Sequence, residues 1–578
     1  MNSLICFVRF VRSLALVLVL GLLSALLPAG RPAAAQALAF DQVLACASGD
    51  GPDGWGPAAQ AFDAAGNRYV AGQFSGTIAL GGTVLTATQT AATRTGPSDT
   101  FVAKIDAAGT YAWAVQFGDN QASQVSALAV DGAGHLYLAG SFDSYDLRIG
   151  GGTPVLYNSG PSAEAFVAQL SSGSGQLQWA RRAGGVRNDY ATRLALSAAG
   201  DVYAAFQMSS PSVSFGTTTL ANPYLGGAAF LAKLSASGAW QWARPVGDGT
   251  ARANSLALDA QGGIYLAGSF RNSLTIGAAS LTSQPIAGTP FFWGADVFVA
   301  KTTDAGGWLW AVQGDAVTHR NFIDYGGEIA LDGNGHVYVV GGYANSAARF
   351  GNVVLPNLSS VQPPYNPQAP PYPGYYYTDA YISRLDAATG AWEWAARYGG
   401  AEQDVASQPI LDGQGRFYVT GGWFGPDYKL GRIDPATGTL LASQPLPTPG
   451  YMGLDGQNRL NFIGSIGVTP TAFGSVTLQP AGPNRGTGYV ARLGAGPLAT
   501  RPAQRGPGLA VWPNPAGGGA VWVQGPAAGQ AVQVFDVLGR AVAAGRMPAA
   551  GPLALPLALP AGVYVVRSAG QARRLVIE

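Results

Sequence analysis

Charge is what this chain of 578 residues has least of. Asp, Glu, Lys and Arg make up 11% of it, against about 25% in ordinary globular proteins. Nucleic acid or an anionic membrane would need a basic field, and none is present. Three histidines are too few for a His-rich metal centre and offer little proton transfer near neutral pH. Of the two cysteines, Cys6 lies in the N-terminal apolar segment. Once that segment is removed Cys46 is alone, no intrachain disulfide can form, and the residue reads as a small buried hydrophobe. A Gly-x-Ser-x-Gly elbow, a His-Glu-x-x-His pair and a phosphate loop are all missing, which removes the commonest hydrolase, metalloprotease and nucleotide signatures. Beyond residue 27 there is no run of about 18 apolar residues, so no membrane span is expected.

What is there begins with an export signal. Arg9 and Arg12 precede an apolar run from Leu14 to Leu27, and Ala33-Ala34-Ala35 offers small residues for cleavage. The run is short, so residues 1–35 read as a signal peptide rather than a span. Their removal takes away three arginines and no acid, so the formal charge moves from +1 to −2. The 82 glycines and 38 prolines approach a low-complexity composition. The aromatics are regularly placed, however, and that argues for order.

From about residue 58 to 494 the chain repeats itself, and repetition decides the fold. One unit has an apolar run ending in Asp, a turn with Gly three residues later, and an alternating strand such as His135-Leu136-Tyr137-Leu138-Ala139-Gly140. After a long loop comes Phe166-Val167-Ala168-Gln169-Leu170, then a Trp strand, Leu177-Gln178-Trp179-Ala180. The Asp-turn-Tyr piece recurs at Asp63/Tyr69, Asp131/Tyr137, Ser197/Tyr203, Asp259/Tyr265, Asp332/Tyr338, Asp412/Tyr418 and Asp455/Asn461. The turn position holds Gly66, Gly134, Gly200, Gly262, Gly335, Gly415 and Asn458, residues that accept a positive φ. The preceding Asp is expected to accept backbone N–H groups across the turn. Asp332-Gly333-Asn334-Gly335 reads as such a turn and not as a calcium loop, because the closing Glu is missing.

Four short strands per unit and seven units predict an all-β fold, a seven-bladed β-propeller over residues 36–494. The segment Phe40–Cys46 looks like a fourth strand without a blade, and Leu454–Leu493 like a blade without a fourth strand. The first should complete the second and close the ring, which also protects sheet edges. These motifs resemble the bacterial SBBP-type β-propeller repeats over Ala58–Leu493, and the resemblance implies a fold and not an activity. Three units depart from the pattern and are expected to be the least regular. Unit three has Ser197 for Asp and Phe206 for Gly, unit six has a short second loop, and unit seven has Asn461 for Tyr.

Strands alternate in direction, so short turns collect on one face and long variable loops on the other, where a binding site belongs. Most loops between the second and third strands carry an apolar-Gly-x3-Leu pattern, as in Phe215-Gly216 with Leu220 and Phe350-Gly351 with Leu355. These read as small hairpins rising from the long-loop face. Residues 362–377 add a Pro- and Tyr-rich insertion. Tyr372 and Tyr375 there could stack on sugar or peptide, or simply belong to a polyproline-like loop. Asp189, Asp324 and Asp404 each stand eight residues before a strand-end Asp or Ser. They could hold a cation such as calcium, or each could brace its own turn, and bracing is favoured. His135 and His336 occupy a repeat position after the turn, and His319 is read as a solvated loop residue. No catalytic residue, resident cofactor or metal ligand is assigned.

Residues 495–508 form a Gly- and Pro-rich linker. Several short strands follow in 509–578, predicting a small Ig-like β-sandwich. Pro513-Asn514-Pro515, Asp536 with Leu538-Gly539-Arg540, Gly562 with Tyr564, and the basic pair before an apolar end resemble the type A C-terminal sorting domain of the Bacteroidetes type IX secretion system. The resemblance implies delivery to the outer-membrane surface or medium, with the translocon as partner. The alternative is an Ig-like adhesion module that stays attached. The leading functional expectation is a secreted or cell-surface, non-catalytic propeller that binds a glycan or protein. The competing one is a polysaccharide hydrolase or lyase using acids on the long-loop face.

Overall fold

The computed structural model describes residues 40–45 and 55–577, apart from the segments 89–98, 119–122, 144, 151–152, 159, 161, 225–226, 285–293, 317–324, 359–377, 401–402, 423–427, 481–486, 495–509, 513–518, 525–528, 537–539, 549–552, 558 and 569–570. Two compact units divide at Ala495/Gly496. Among the described residues there is no helix.

The first unit is a repeated four-stranded antiparallel sheet, the arrangement of a β-propeller. Strands within a sheet are named A to D in chain order. Sheet 1 runs Trp55–Phe62, Arg68–Phe74, Asp99–Ile105 and Tyr111–Phe117. Sheets 2 to 7 begin at Ser123, Asp189, Thr250, Tyr325, Val405 and Gly450. Each A strand packs against the A strand of the next sheet, and that of sheet 7 against that of sheet 1. The strand Phe40–Ala45 pairs antiparallel with strand C of sheet 7, Val43 opposite Ala491.

The hydrophobic core is divided among the gaps between sheets. One cluster joins Tyr137, Val167 and Trp179 of sheet 2 to Val202, Phe206 and Phe230 of sheet 3. Others fill the gaps between sheets 1 and 2, 3 and 4, and 4 and 5. The repeat aromatics close these gaps. Tyr137 meets Trp179 edge to face at 6.2 Å, and Tyr265 meets Trp310 likewise at 6.1 Å. Four of these indole N–H groups cross to a turn carbonyl of the following sheet: Trp113 to Ser172 at 3.1 Å, Trp179 to Ala236 at 3.1 Å, Trp242 to Asp304 at 3.0 Å and Trp310 to Ala387 at 3.3 Å. A Trp therefore supplies apolar area and a directional bond at once.

The turn chemistry follows the spacing. Gly66, Gly134, Gly200, Gly262, Gly335, Gly415 and Asn458 all have positive φ. Sheet 3 does not become irregular for want of its Asp. Its A and B strands pair from Asp189/Met208 to Leu196/Val202 with one bulge, as in sheet 2. Ser197 Oγ accepts the Asp201 N–H at 3.1 Å, and Tyr203 finds its carboxylate on Asp304 of the neighbouring sheet. Phe206 packs edge to face against Phe215, with ring centroids 5.3 Å apart. Sheet 6 is less regular: its A–B register skips two residues at Ser407/Ile410, with Gln408 at φ 53°.

The apolar-Gly hairpins do not rise freely from the face. The hairpin Ser212–Ala221 joins the outer strand of sheet 2, pairing Phe215 with Ala183. The hairpin Ala347–Pro356 joins the outer strand of sheet 4, pairing Arg349 with Asp315. The reason is burial: Ile78, Val213, Phe215, Ile276 and Phe350 are all at most 2% exposed. The turn must also be Gly. At Gly216, φ is +63° and a Cβ would lie 2.8 Å from Trp240 Cδ1.

In the second unit, Ala510–Trp512, Gly519–Gln524 and Leu553–Leu557 form one sheet. Ala541–Arg546, Ala531–Phe535, Gly562–Ser568 and Gln571–Ile577 form another. Val521, Val523 and Leu555 of the first share one core with Val532, Val534, Val566 and Leu575 of the second.

Candidate functional site

The A strands carry a feature that sequence reasoning missed. Most bulge near the residue five before the turn Asp: the register shifts around Ser126, Thr192 and Asn254. The bulged side chain reaches the next A strand. Ser126 donates to Ala191 O, Thr192 to Ala253 O at 3.3 Å, and Asn254 to Gly326 O at 2.7 Å. Gln408 of sheet 6 donates to Gly450 O at 2.7 Å, and its own N–H meets Glu328 Oε2 at 2.5 Å. A polar residue five before the Asp, inside an otherwise apolar run, was the available signal.

Two residues nearer the long-loop end, the same register position holds Gln124, Tyr190 and Arg252 in three consecutive A strands. All three are exposed. They offer an amide, a phenol ring and a guanidinium at one end of the inner strands. That set can hydrogen-bond, stack and pair with an anion, but holds no nucleophile–base arrangement.

The residue just before that position is where the repeated aspartates fall. Asp189 opens strand A of sheet 3 and is fully buried. Four donors saturate it: Gly185 N–H at 2.8 Å, Ser209 N–H at 2.9 Å, Ser210 N–H at 3.1 Å and Ser210 Oγ at 2.6 Å. Burial pushes its pKa up, and the donors only partly offset this. Asp404 is 1% exposed and accepts Gly400 N–H at 2.8 Å. Both bind the stretch joining one sheet to the next, the bracing arrangement. Asp324, Tyr372, Tyr375 and His319 lie outside the described residues.

A second set of carboxylates went unnoticed in the sequence. Asp99, Glu164 and Asp379 begin C strands, Asp296 is the second residue of its own, and all four are at most 1% exposed. Glu164 meets Arg182 at 2.7 Å and Asp379 meets Arg397 at 3.1 Å. They converge with the first set across a glycine. A Cβ on Gly399, at φ +142°, would lie 2.7 Å from Asp379 Oδ1 and 2.9 Å from Asp404 Oδ2. Burial raises the Asp379 pKa against the pull of Leu358 N–H and Arg397. The signal was an acid two residues before the third-piece aromatic in four units. Among the described residues, no group of three or more His, Cys, Asp or Glu side chains could hold a metal ion.

The turn aspartates are a third set. Asp131 accepts Ala133 N–H, His135 N–H and His135 Nδ1 at 2.8–2.9 Å, and Tyr137 OH at 3.1 Å. Burial pushes its pKa up, but the His135 backbone and ring outweigh it and the net shift is down. His336 sits against Asp332 in the same way at 2.6 Å. In the second unit Asp536 repeats the device with Arg540, whose N–H and Nε approach at 2.9 and 2.7 Å. Tyr564 OH donates to Pro560 O at 2.8 Å beside Gly562, which opens its strand. Pro513, Asn514, Pro515 and Gly539 lie outside the described residues.

No family model and no curated protein matches the chain. Solved structures similar to it include BamB from Moraxella catarrhalis, at 10% identity and TM-score 0.32, covering 78% of this chain and 99% of that one. The quinohemoprotein alcohol dehydrogenase of Comamonas testosteroni gives 11% identity and TM-score 0.37, covering 79% and 76%. A protein of unknown function from Dyadobacter fermentans gives 12% and 0.31, covering 52% and 93%. The fold description rests on the sheet order and registers given above.

Proposed function

We propose that this chain is a seven-bladed propeller, closed by Phe40–Ala45, that serves as a non-catalytic binding protein at the cell surface or in the medium. The observation that carries the reading is the fate of its carboxylates. Asp189, Glu164 and Asp404 are buried and engaged by donors of their own chain, while the exposed register position on the long-loop side offers Gln124, Tyr190 and Arg252. A hydrolase or lyase needs carboxyl groups within reach of its substrate. Asp379 and Asp404 share the space beside Gly399, but at 0% and 1% exposure they are closed to a polymer.

Residues 509–578 supply the address in this reading. An Ig-like sandwich of the type IX sorting kind carries the chain through the outer membrane after a Sec signal at residues 1–35, and the linker at 495–508 keeps the two tasks separate. Fusing residues 501–578 to an unrelated exported reporter should bring it to the surface of a type IX-competent host. A fusion that stays in the periplasm would overturn the sorting assignment. The non-catalytic reading is tested by incubating the mature protein with a broad polysaccharide panel. Release of new reducing ends would overturn it.

A further inference from the structure

The outer edge of sheet 2 carries a cleft of about 740 Å³. In sheet 1, Gln116 on the outer strand donates to Thr86 O at 3.0 Å and so draws that sheet's own hairpin closed. In sheet 4, Gln313 does the same to Thr282, donating to its carbonyl at 3.3 Å and accepting its N–H at 3.0 Å. Sheet 2 has Arg182 at that position and Arg181 before it. The other Trp strands have Val115-Gln116, Arg244-Pro245, Val312-Gln313 and Ala396-Arg397. The sheet 2 hairpin is also reduced to two paired residues a side, Asp146–Leu147 and Leu156–Tyr157. Its far arm is tied to the outer strand of sheet 1, Gly150 N–H donating to Gln116 O at 2.8 Å, and a groove lined by Tyr157, Arg181 and Thr218 lies between it and the sheet 3 hairpin.

Resting on the binding reading above, we propose that this cleft binds a segment of anionic polysaccharide. Arg181 is pinned to Gly238 O and Ala180 O, both at 2.8 Å, and Arg182 to Glu164 at 2.7 Å. Each therefore presents a fixed guanidinium with donors to spare. One buried carboxylate answers two guanidiniums, so the cleft keeps a net positive charge suited to a sugar carboxylate or sulfate. Tyr157, 62% exposed, gives one wall a ring face on which a pyranose can stack. Thr217 and Thr218, both exposed, line the other side with hydroxyls that match sugar hydroxyls.

The mature protein is titrated calorimetrically with oligogalacturonate, dextran sulfate, neutral dextran and poly-glutamate. Binding of either acidic sugar, with affinity that falls as salt rises, is the expected result, and the two arms separate carboxylate from sulfate recognition. Y157A and R181Q should each weaken that binding roughly ten-fold or more, and Y157A should leave the melting temperature unchanged. Tyr157 is exposed, so its variant reports on binding even where an arginine variant fails to fold. Absence of acidic-sugar binding, equal binding of dextran or poly-glutamate, or wild-type affinity in both variants overturns the proposal. New sugar ends during titration would overturn the non-catalytic reading instead, while the same two variants still decide the cleft.

Discussion

The turn aspartates and the junction aspartates both recur along the chain and share one residue type, yet Asp131 and Asp189 show that their surroundings give opposite acidities. Asp131 sits at a hairpin, keeps some contact with water, and accepts the backbone N–H groups of Ala133 and His135 and the His135 ring. Its pKa falls. Asp189 is sealed between sheets and takes its donors from residues up to 21 positions away. Its pKa rises, because desolvation exceeds what four hydrogen bonds return. A local brace and a long-range brace thus look alike in sequence. What separates them is how much water the fold removes.

The largest expected effect lies at the junction. Asp189→Ala removes the carboxylate that four donors share; Ser209 N–H and Ser210 Oγ keep second acceptors in Asn188 O and Arg187 O, and each buried donor left unmet costs about 1–3 kcal/mol. A loss of roughly 2–5 kcal/mol in chemical denaturation is expected. A loss below about 1 kcal/mol would show that Asp189 does not hold the sheet 2–sheet 3 junction. Asp131→Ala should cost less, about 1–2 kcal/mol, because water can reach the turn and replace part of the carboxylate. Equal losses at the two positions would dissolve the distinction.

Acidity sharpens the comparison further. For Asp63, Asp131, Asp259, Asp332 and Asp455 the folded pKa lies below the ordinary 3.8. Their contribution is complete above that value and is lost as pH falls through the folded values. For Asp189 and Asp379 the folded pKa lies above 3.8. The protonated form favours their fold, so ionising them costs stability as pH rises from 3.8 through the folded values. Melting temperatures from about pH 3 to 7 should therefore climb steeply at the acid end and flatten just above it. In Asp379→Asn the flattening should diminish while the acid limb stays. A variant curve parallel to wild type would remove Asp379 from the account.

The smallest expected effect is that of calcium. The oxygens of Asp189 are already occupied by N–H and O–H donors. Millimolar calcium should move the melting temperature by less than about one degree, since a ligand stabilises only as far as it occupies the native state. A several-degree rise, lost in a variant with Asp189 and Asp404 both changed to Ala, would return them to the list of cation ligands.

Much of the architecture was legible because it is written locally and repeatedly. The glycine or asparagine three after each Asp, the Tyr six after it and the Trp strand each satisfy a requirement of one hairpin or one gap, so they recur with the hairpin. Tyr203 marks the limit. Its strand lacks the expected Asp, which predicts an irregular sheet 3, but Asp304 from the adjoining sheet supplies the carboxylate. The hairpins show the same limit. The sequence displays their Gly and apolar residues, and only packing shows that Phe215 and Phe350 turn inward against outer strands.

Sequence by itself determined that the chain is all-β, repeated and poor in charge, because strand alternation and turn conformation are set within a few residues of each other. It did not determine which aspartates lose their water, which bulged side chains tie one inner strand to the next, or that Arg182 stands where Gln116 and Gln313 fasten a hairpin. Those depend on groups tens of residues apart brought to within about 3 Å, where desolvation and hydrogen-bond direction decide the outcome. Only the tertiary structure sets both.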